Sequence, residues 1–174
     1  MDDESTQGAP AAGLGRRLAA LVYDGILVLA LWFVATLAVL PLSGGQAITP
    51  AAQGPGPYFY RAYLVLFALG YFGWSWTRTG QTLGMRCWRI RLVAGDATPP
   101  RWPAALLRFA TGMALALAAG LGVWLAREPG WSARDLAAAA LLLPAAANFA
   151  WPALDARGRS LQDIACRSRV VRVA

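Results

Sequence analysis

The stretch LAALVYDGILVLALWFVATLAVL, Leu18 to Leu40, carries one charge, Asp24. At about 1.5 Å per residue, a helix of this length crosses a hydrocarbon core ~30 Å thick. The run is too long for a secretory signal peptide, and the start before it (Asp2, Asp3, Glu4) has the wrong charge. It reads as a transmembrane span.

The same criterion, carried along the chain, predicts three more spans. Tyr58 to Trp76 has aromatic clusters at both ends, where a half-buried ring with a wet polar edge suits the membrane interface. Pro103 to Ala126 follows. Leu136 to Leu154 is alanine-rich and holds Pro144, Asn148 and Pro152, which fits a kinked span or a re-entrant piece. Residues 1–15 read as a flexible cytoplasmic tail, 41–57 as an uncharged Gly/Pro loop, 127–134 as a polar turn and 155–174 as a basic tail. The expected fold class is therefore all-α: one polytopic domain over residues 16–174, with four transmembrane helices and an interfacial cytoplasmic segment between the second and third.

Composition agrees. The chain is 57% hydrophobic and 14% charged, against about 25% charged in an ordinary soluble domain. A hydrophobic soluble bundle is the bland alternative, and the length of the apolar runs speaks against it. All sixteen cationic side chains are arginine, with no lysine or histidine, and the net charge is +7. That arginine and alanine bias points to a GC-rich bacterium.

The arginines lie between apolar runs, as membrane flanks do, so nucleic acid is not the expected partner. Arg16 and Arg17 precede the first span. Arg78, Arg86, Arg89, Arg91, Arg101 and Arg108 surround the middle connection. Arg157, Arg159, Arg167, Arg169 and Arg172 lie in the tail. Only Arg61, Arg127 and Arg134 remain for the other side. The positive-inside rule then puts both termini of a multi-pass cell-membrane protein in the cytoplasm. Cys87 and Cys166 face the reducing side, so no disulfide is expected. Without histidine, Ser-His and Cys-His nucleophiles are excluded. No metal-ligand set, GxGxxG or P-loop is present, so the chain reads as no enzyme, with no cofactor and no metal.

Two charges do not fit a plain anchor. Asp24 lies six residues past Leu18, roughly 9 Å into the span, where a carboxylate costs up to about 2.5–3.5 kcal/mol and is expected to have a partner. Arg17 shares its helix face but lies ~10 Å away along the axis. Arg108, five residues into the third span, is the better expected partner. The pair is read either as a structural ion pair fixing how the two helices dock, or as part of an ion or proton route. Asn148 reads as interhelical packing glue, as do Gly70, Gly73, Gly112, Gly120 and Gly122. Trp124 and Trp131 read as an interfacial belt.

The middle connection, TRTGQTLGMRCWRIRLV from Thr77 to Val93, mixes four arginines with Met85, Trp88, Ile90, Leu92 and Val93. It is expected to lie at the headgroup level, its arginines meeting anionic lipid at about 1 kcal/mol each. Gly80 and Gly84 permit a tight backbone around Gln81 and Thr82. Asp163 is expected to pair with Arg86 or Arg89, so that the tail braces this segment beneath the first helix.

Three motifs resemble the RDD family of small integral membrane proteins. GRRLAALVYDGILV matches its first helix, with Arg17 and Asp24. GQTLGMRCWRIRLV matches its segment after the second helix, through Gly80, Gln81, Thr82, Gly84, Ile90 and Arg91. RGRSLQDIACRSRVVRV matches its closing segment, through Leu161, Asp163, Val170 and Val171. The chain departs from that pattern at Met85, where a basic residue is usual, at Gln162, where histidine is common, and at Arg167-Ser168, where the family has Gly-Thr. The resemblance implies a fold and an inner-membrane location more than an activity, with transport the usual suggestion. Two functions follow as expectations. One is movement of ions or protons with Asp24, Arg17 and Arg108 central, in a homo-oligomer if there is a pathway. The other is a non-catalytic accessory subunit that docks a membrane-protein partner.

Overall fold

The computed structural model describes residues 9–44, 54–127 and 133–173. The acidic start, most of the 41–57 loop and Trp131 lie outside these residues. The first long helix, α1 (Leu14–Val39), runs on into a 3₁₀ turn, Leu40–Ser43. The second, α2 (Gly56–Thr79), starts with a proline in its first turn and stops at Gly80, whose φ of 70° is the left-handed geometry of a glycine cap. A five-residue helix, α3 (Leu83–Cys87), leads into strand β1 (Ile90–Ala94). Then come α4 (Trp102–Leu125) and α5 (Ala133–Ala150), which runs through Pro144. A second five-residue helix, α6 (Leu161–Ala165), leads into β2 (Ser168–Arg172).

Three stretches, Leu14–Leu42, Trp102–Leu125 and Arg134–Ala153, are long and apolar enough to cross a membrane. Only 11% of the most apolar window of each is buried. An apolar surface of that extent turned outward is stable against lipid and not against water. α2 is as long as α4, at 24 residues, but its tyrosines, tryptophans and Arg61 make it less apolar. The buried residues of α1 (Ala20, Asp24, Val28, Ala35) form one narrow stripe, so Asp24 faces inward.

The tightest packing is at one end of the bundle. β1 and β2 pair antiparallel, with Leu92 opposite Val170 and Val93 opposite Arg169. Ile90, Leu92, Val93 and Val171 are among the most completely buried side chains. Residues before α1 join this layer: Ala12 N–H donates to the Val170 carbonyl (2.9 Å), and Arg172 N–H to that of Pro10 (2.9 Å). The tail therefore does pack on the middle segment, by strand pairing. Two expectations need correction. The fold is mostly helical, not purely α, because RIRLV and RVVR are short alternating strands that gain hydrogen bonds from each other. Within the stretch expected as a flexible tail, residues 10–12 are hydrogen-bonded to the sheet, and residues 1–8 lie outside the described residues.

A second regularity is that the chain contains its own motif twice. Thr82 and Ser160 occupy matching N-cap positions, with φ/ψ of −76°/172° and −75°/165°. Each starts a five-residue helix, which ends at a residue (Trp88 or Cys166) with φ near −95°. Arg89 (φ 50°) and Arg167 (φ 49°) then turn left-handed into the strands. Two long helices precede each copy. In the bundle α1 packs on α2, α2 on α4 and α4 on α5, while α1 and α5 share no packing of that extent.

Candidate functional site

Asp24 is 3% exposed and is held by three donors. Tyr71 Oη–H donates to Oδ1 at 2.7 Å, Thr82 Oγ1–H to Oδ2 at 2.5 Å, and Gly84 N–H to Oδ1 at 2.9 Å. Local sequence explains the set. Thr82 caps α3 by accepting from Met85 N–H at 3.1 Å, which aims its own hydroxyl hydrogen at the carboxylate. Gly84 allows α3 to lie against α1: a Cβ there would fall 2.9 Å from Asp24 Cγ and closer still to the Ala20 carbonyl oxygen. Gly80 serves β1 in the same way, since a Cβ would stand 2.5 Å from the Leu92 carbonyl. Gln81 Nε2–H donates to the Ile90 carbonyl at 2.8 Å.

The expected Asp24–Arg108 pair is not formed. Arg108 Nη1 donates to Asp163 Oδ1 at 2.7 Å, and Arg17 Nη1 to Asp163 Oδ2 at 2.7 Å. Asp163 is wholly buried and also completes a capping box with Ser160. It therefore binds neither Arg86 nor Arg89. Burial pushes its carboxyl up, but Arg108, Arg17 and the Ser160 N–H outweigh that and hold it below the usual carboxylate range. Arg17 also donates from Nε to the Ala12 carbonyl (3.0 Å) and from Nη2 to the Gly158 carbonyl (2.9 Å). Arg91 is half-buried on β1, away from this cluster, with its aliphatic stem against the Gly80 position.

These two polar clusters line a single cavity of about 290 Å³. Arg17, Asp24, Arg108, Asn148 and Gln162 contribute polar groups, and Phe72, Trp76, Met85, Phe109 and Phe149 form apolar walls. Gln162 ties the closing segment to α4 and α5: its Nε2–H donates to the Arg108 carbonyl at 2.6 Å, and its N–H to Asn148 Oδ1 at 2.9 Å. Asn148 thus fastens α5 to α6. Among the expected packing glycines, Gly73, Gly112 and Gly122 do meet neighbours, while Gly70 and Gly120 face open space.

Sequence reasoning missed Tyr71 and Trp76. Trp76 reads as an interface aromatic at the end of the second span and Tyr71 has no signal of its own, yet Tyr71 binds Asp24 and Trp76 is only 8% exposed, beneath Arg108. No group of three or more acidic or cysteine side chains that could hold a metal occurs among the described residues.

The RDD departures also acquire a geometry. Position 167 is left-handed, the conformation that a glycine adopts without strain. Met85 packs on the apolar core beside Phe72 and Phe109. Comparison with curated proteins finds no match, and neither does comparison with solved structures. The family model for the RDD family matches residues 11–167. That span holds the α1 aspartate, both cap–helix–strand motifs up to Arg167 and every helix described above; the chain belongs to the RDD family.

Proposed function

We propose that this is a multi-pass protein of the bacterial cell membrane that crosses four times, keeps both termini in the cytoplasm and moves an ion or proton through the cavity beside Asp24. The sheet supports the crossing number. Residues 10–12, β1 and β2 share one layer, so each pair of long helices must return the chain to the face it left. If α1 crosses, α2 crosses back. This layer carries Arg16, Arg17, Arg86, Arg89, Arg91, Arg167, Arg169 and Arg172, the sign of a cytoplasmic face next to anionic headgroups.

The observation that carries the transport reading is that Asp24 and Arg108 line one cavity without pairing to each other. Buried ionisable groups inside a membrane domain usually face a water-filled route. The test is proton and sodium flux in liposomes, for the wild type and for Asp24→Asn shown to be folded and equally inserted. Flux lost in the variant supports the reading. No flux in either refutes it.

The accessory-subunit reading has its own support, namely that Asp24 is already satisfied by three donors and Asp163 by two guanidinium groups. In that reading both clusters are latches, and the open side between α1 and α5 receives a partner.

A further inference from the structure

The two motif copies lead to an expectation that the bundle does not meet. If α4 and α5 repeat α1 and α2, the α2–α4 contact has a counterpart, α5 against α1. Among the described residues α1 and α5 share no packing of that extent, and the cavity lies there, with α1 supplying Arg17, Leu21 and Asp24 to its lining and α5 supplying Asn148 and Phe149.

The polar groups at this gap are unequal. Both carboxylate oxygens of Asp24 and all three guanidinium nitrogens of Arg17 are hydrogen-bonded. Arg108 uses only Nη1, on Asp163 and Ser168, so its Nε and Nη2 have no acceptor among the described residues. Trp76 lies next to it, with the guanidinium carbon 5.8 Å from the ring centroid, and its indole N–H is buried without an acceptor among the described residues. An orphaned donor of this kind costs about 1–3 kcal/mol. The Asn148 side-chain N–H₂ lines the same cavity with no acceptor among the described residues. These three unspent groups are donors, and one is cationic; Gln162 Oε1, in the same lining, is an acceptor without a donor among the described residues. The remaining wall is aromatic and thioether: Phe72, Phe109, Phe149, Met85 and Met113.

We infer that the cavity binds a single-chain amphiphile with a carboxylate head, of fatty-acid type. The head accepts from Arg108, Trp76 and Asn148, and the chain leaves through the gap between α1 and α5 toward the lipid. A carboxylate matches the free edge of a guanidinium. At about 290 Å³, the cavity lies at the lower end of small-molecule sites (~300–1,000 Å³), which suits one chain and not two. This assignment rests on the reading of the cavity as the working site.

The experiment is native mass spectrometry of the detergent-solubilised full chain with oleate, dodecanol, dodecyl phosphate or acetate. The expected result is a one-to-one oleate adduct, with dodecanol and acetate weaker. Trp76→Phe keeps an aromatic face but removes the indole N–H together with its five-membered ring, and should weaken oleate roughly three- to tenfold while changing dodecanol less. Met113→Trp, which fills the chain path, should abolish the adduct. Unchanged thermal melting in either variant shows that the fold is intact. Tighter binding of dodecyl phosphate overturns the carboxylate head in favour of a phosphate. Oleate binding that ignores both substitutions overturns the site. A dimer disrupted by Met113→Trp, with no oleate adduct, overturns the ligand in favour of a second copy. Flux without oleate binding sinks only this assignment, whereas binding without flux sinks the transport reading and leaves the site.

Discussion

Leu92 and Val170 face each other across the two-stranded ladder, and each is the third residue of its strand. The two motif copies therefore meet about a local two-fold axis through this pair. One copy presents Thr82 and Gly84 to the Asp24 carboxylate, and the other presents Asp163 to the Arg108 guanidinium. The same cap–helix–strand unit thus receives an acid from α1 and a base from α4.

Removing Asp163 should be severe. Asp163→Asn leaves Arg17 and Arg108 buried beside a neutral amide, and breaking a buried pair of this kind costs about 3–5 kcal/mol. A sharply lower melting temperature in detergent, or loss of folded yield, is expected.

Acid should act through the same group. The folded carboxyl titrates below its ordinary value, so its stabilisation is fully present above the unfolded pKa of ~3.9 and is lost as pH falls through the folded value. Melting temperature, followed downward from pH 6, should fall below about pH 4 in the wild type. Any folded Asp163→Asn protein should lack that part of the dependence.

Gly84→Ala and Gly70→Ala should separate close approach from helix propensity. The first meets the Ala20 carbonyl and the Asp24 carboxylate, the second meets nothing. Gly84→Ala should lower stability by a few kcal/mol. Gly70→Ala should be neutral, or stabilising by up to about 1 kcal/mol. Equal melting temperatures for the two would contradict the packing of α3 on α1.

Arg167→Gly should raise stability. A left-handed arginine (φ 49°) carries a steric cost of about 1–2 kcal/mol that glycine avoids, offset in part by the greater freedom of glycine in the unfolded chain. A net gain of roughly 0.5–1 kcal/mol in urea or thermal unfolding is the expected outcome. A loss would mean that the Arg167 side chain contributes more than its backbone strain costs.

The cysteines should label unequally. Cys87 is exposed and Cys166 buried, and burial pushes the Cys166 thiol up, which reduces its thiolate. A membrane-impermeant maleimide should modify Cys87 from the cytoplasmic side of inverted vesicles and leave Cys166 slow. Labelling of Cys87 only from the opposite side would reverse the proposed orientation.

The long apolar runs were legible because hydropathy reports directly what a helix can face. Asp24, Arg17, Arg108 and Asp163 each stood out because a charge near or inside an apolar run is rare. Their partners did not stand out. Spacing gives depth along a helix axis, so Asp24 and Arg108 looked level, but it does not give the angle around the axis. That angle is set by α3 and α6, which are placed by a strand pairing between segments far apart in sequence. The pairing had a visible sign: Thr82-Leu83 stands seven residues before Arg89 as Ser160-Leu161 stands before Arg167. Reading the arginines as lipid anchors hid the repeat.

Arg17 and Asp163 are 146 positions apart, and this has a consequence for biogenesis. Arg17 emerges from the ribosome well before Asp163 and has no carboxylate until the segment that carries it follows. Until then α1 and α4 each carry an uncompensated cation. The bundle can insert helix by helix, but it is locked only when the turn that carries Asp163 docks. A chain stalled before Asp163 therefore differs from a finished one in charge as well as length, a difference that a quality-control protease in the membrane could read.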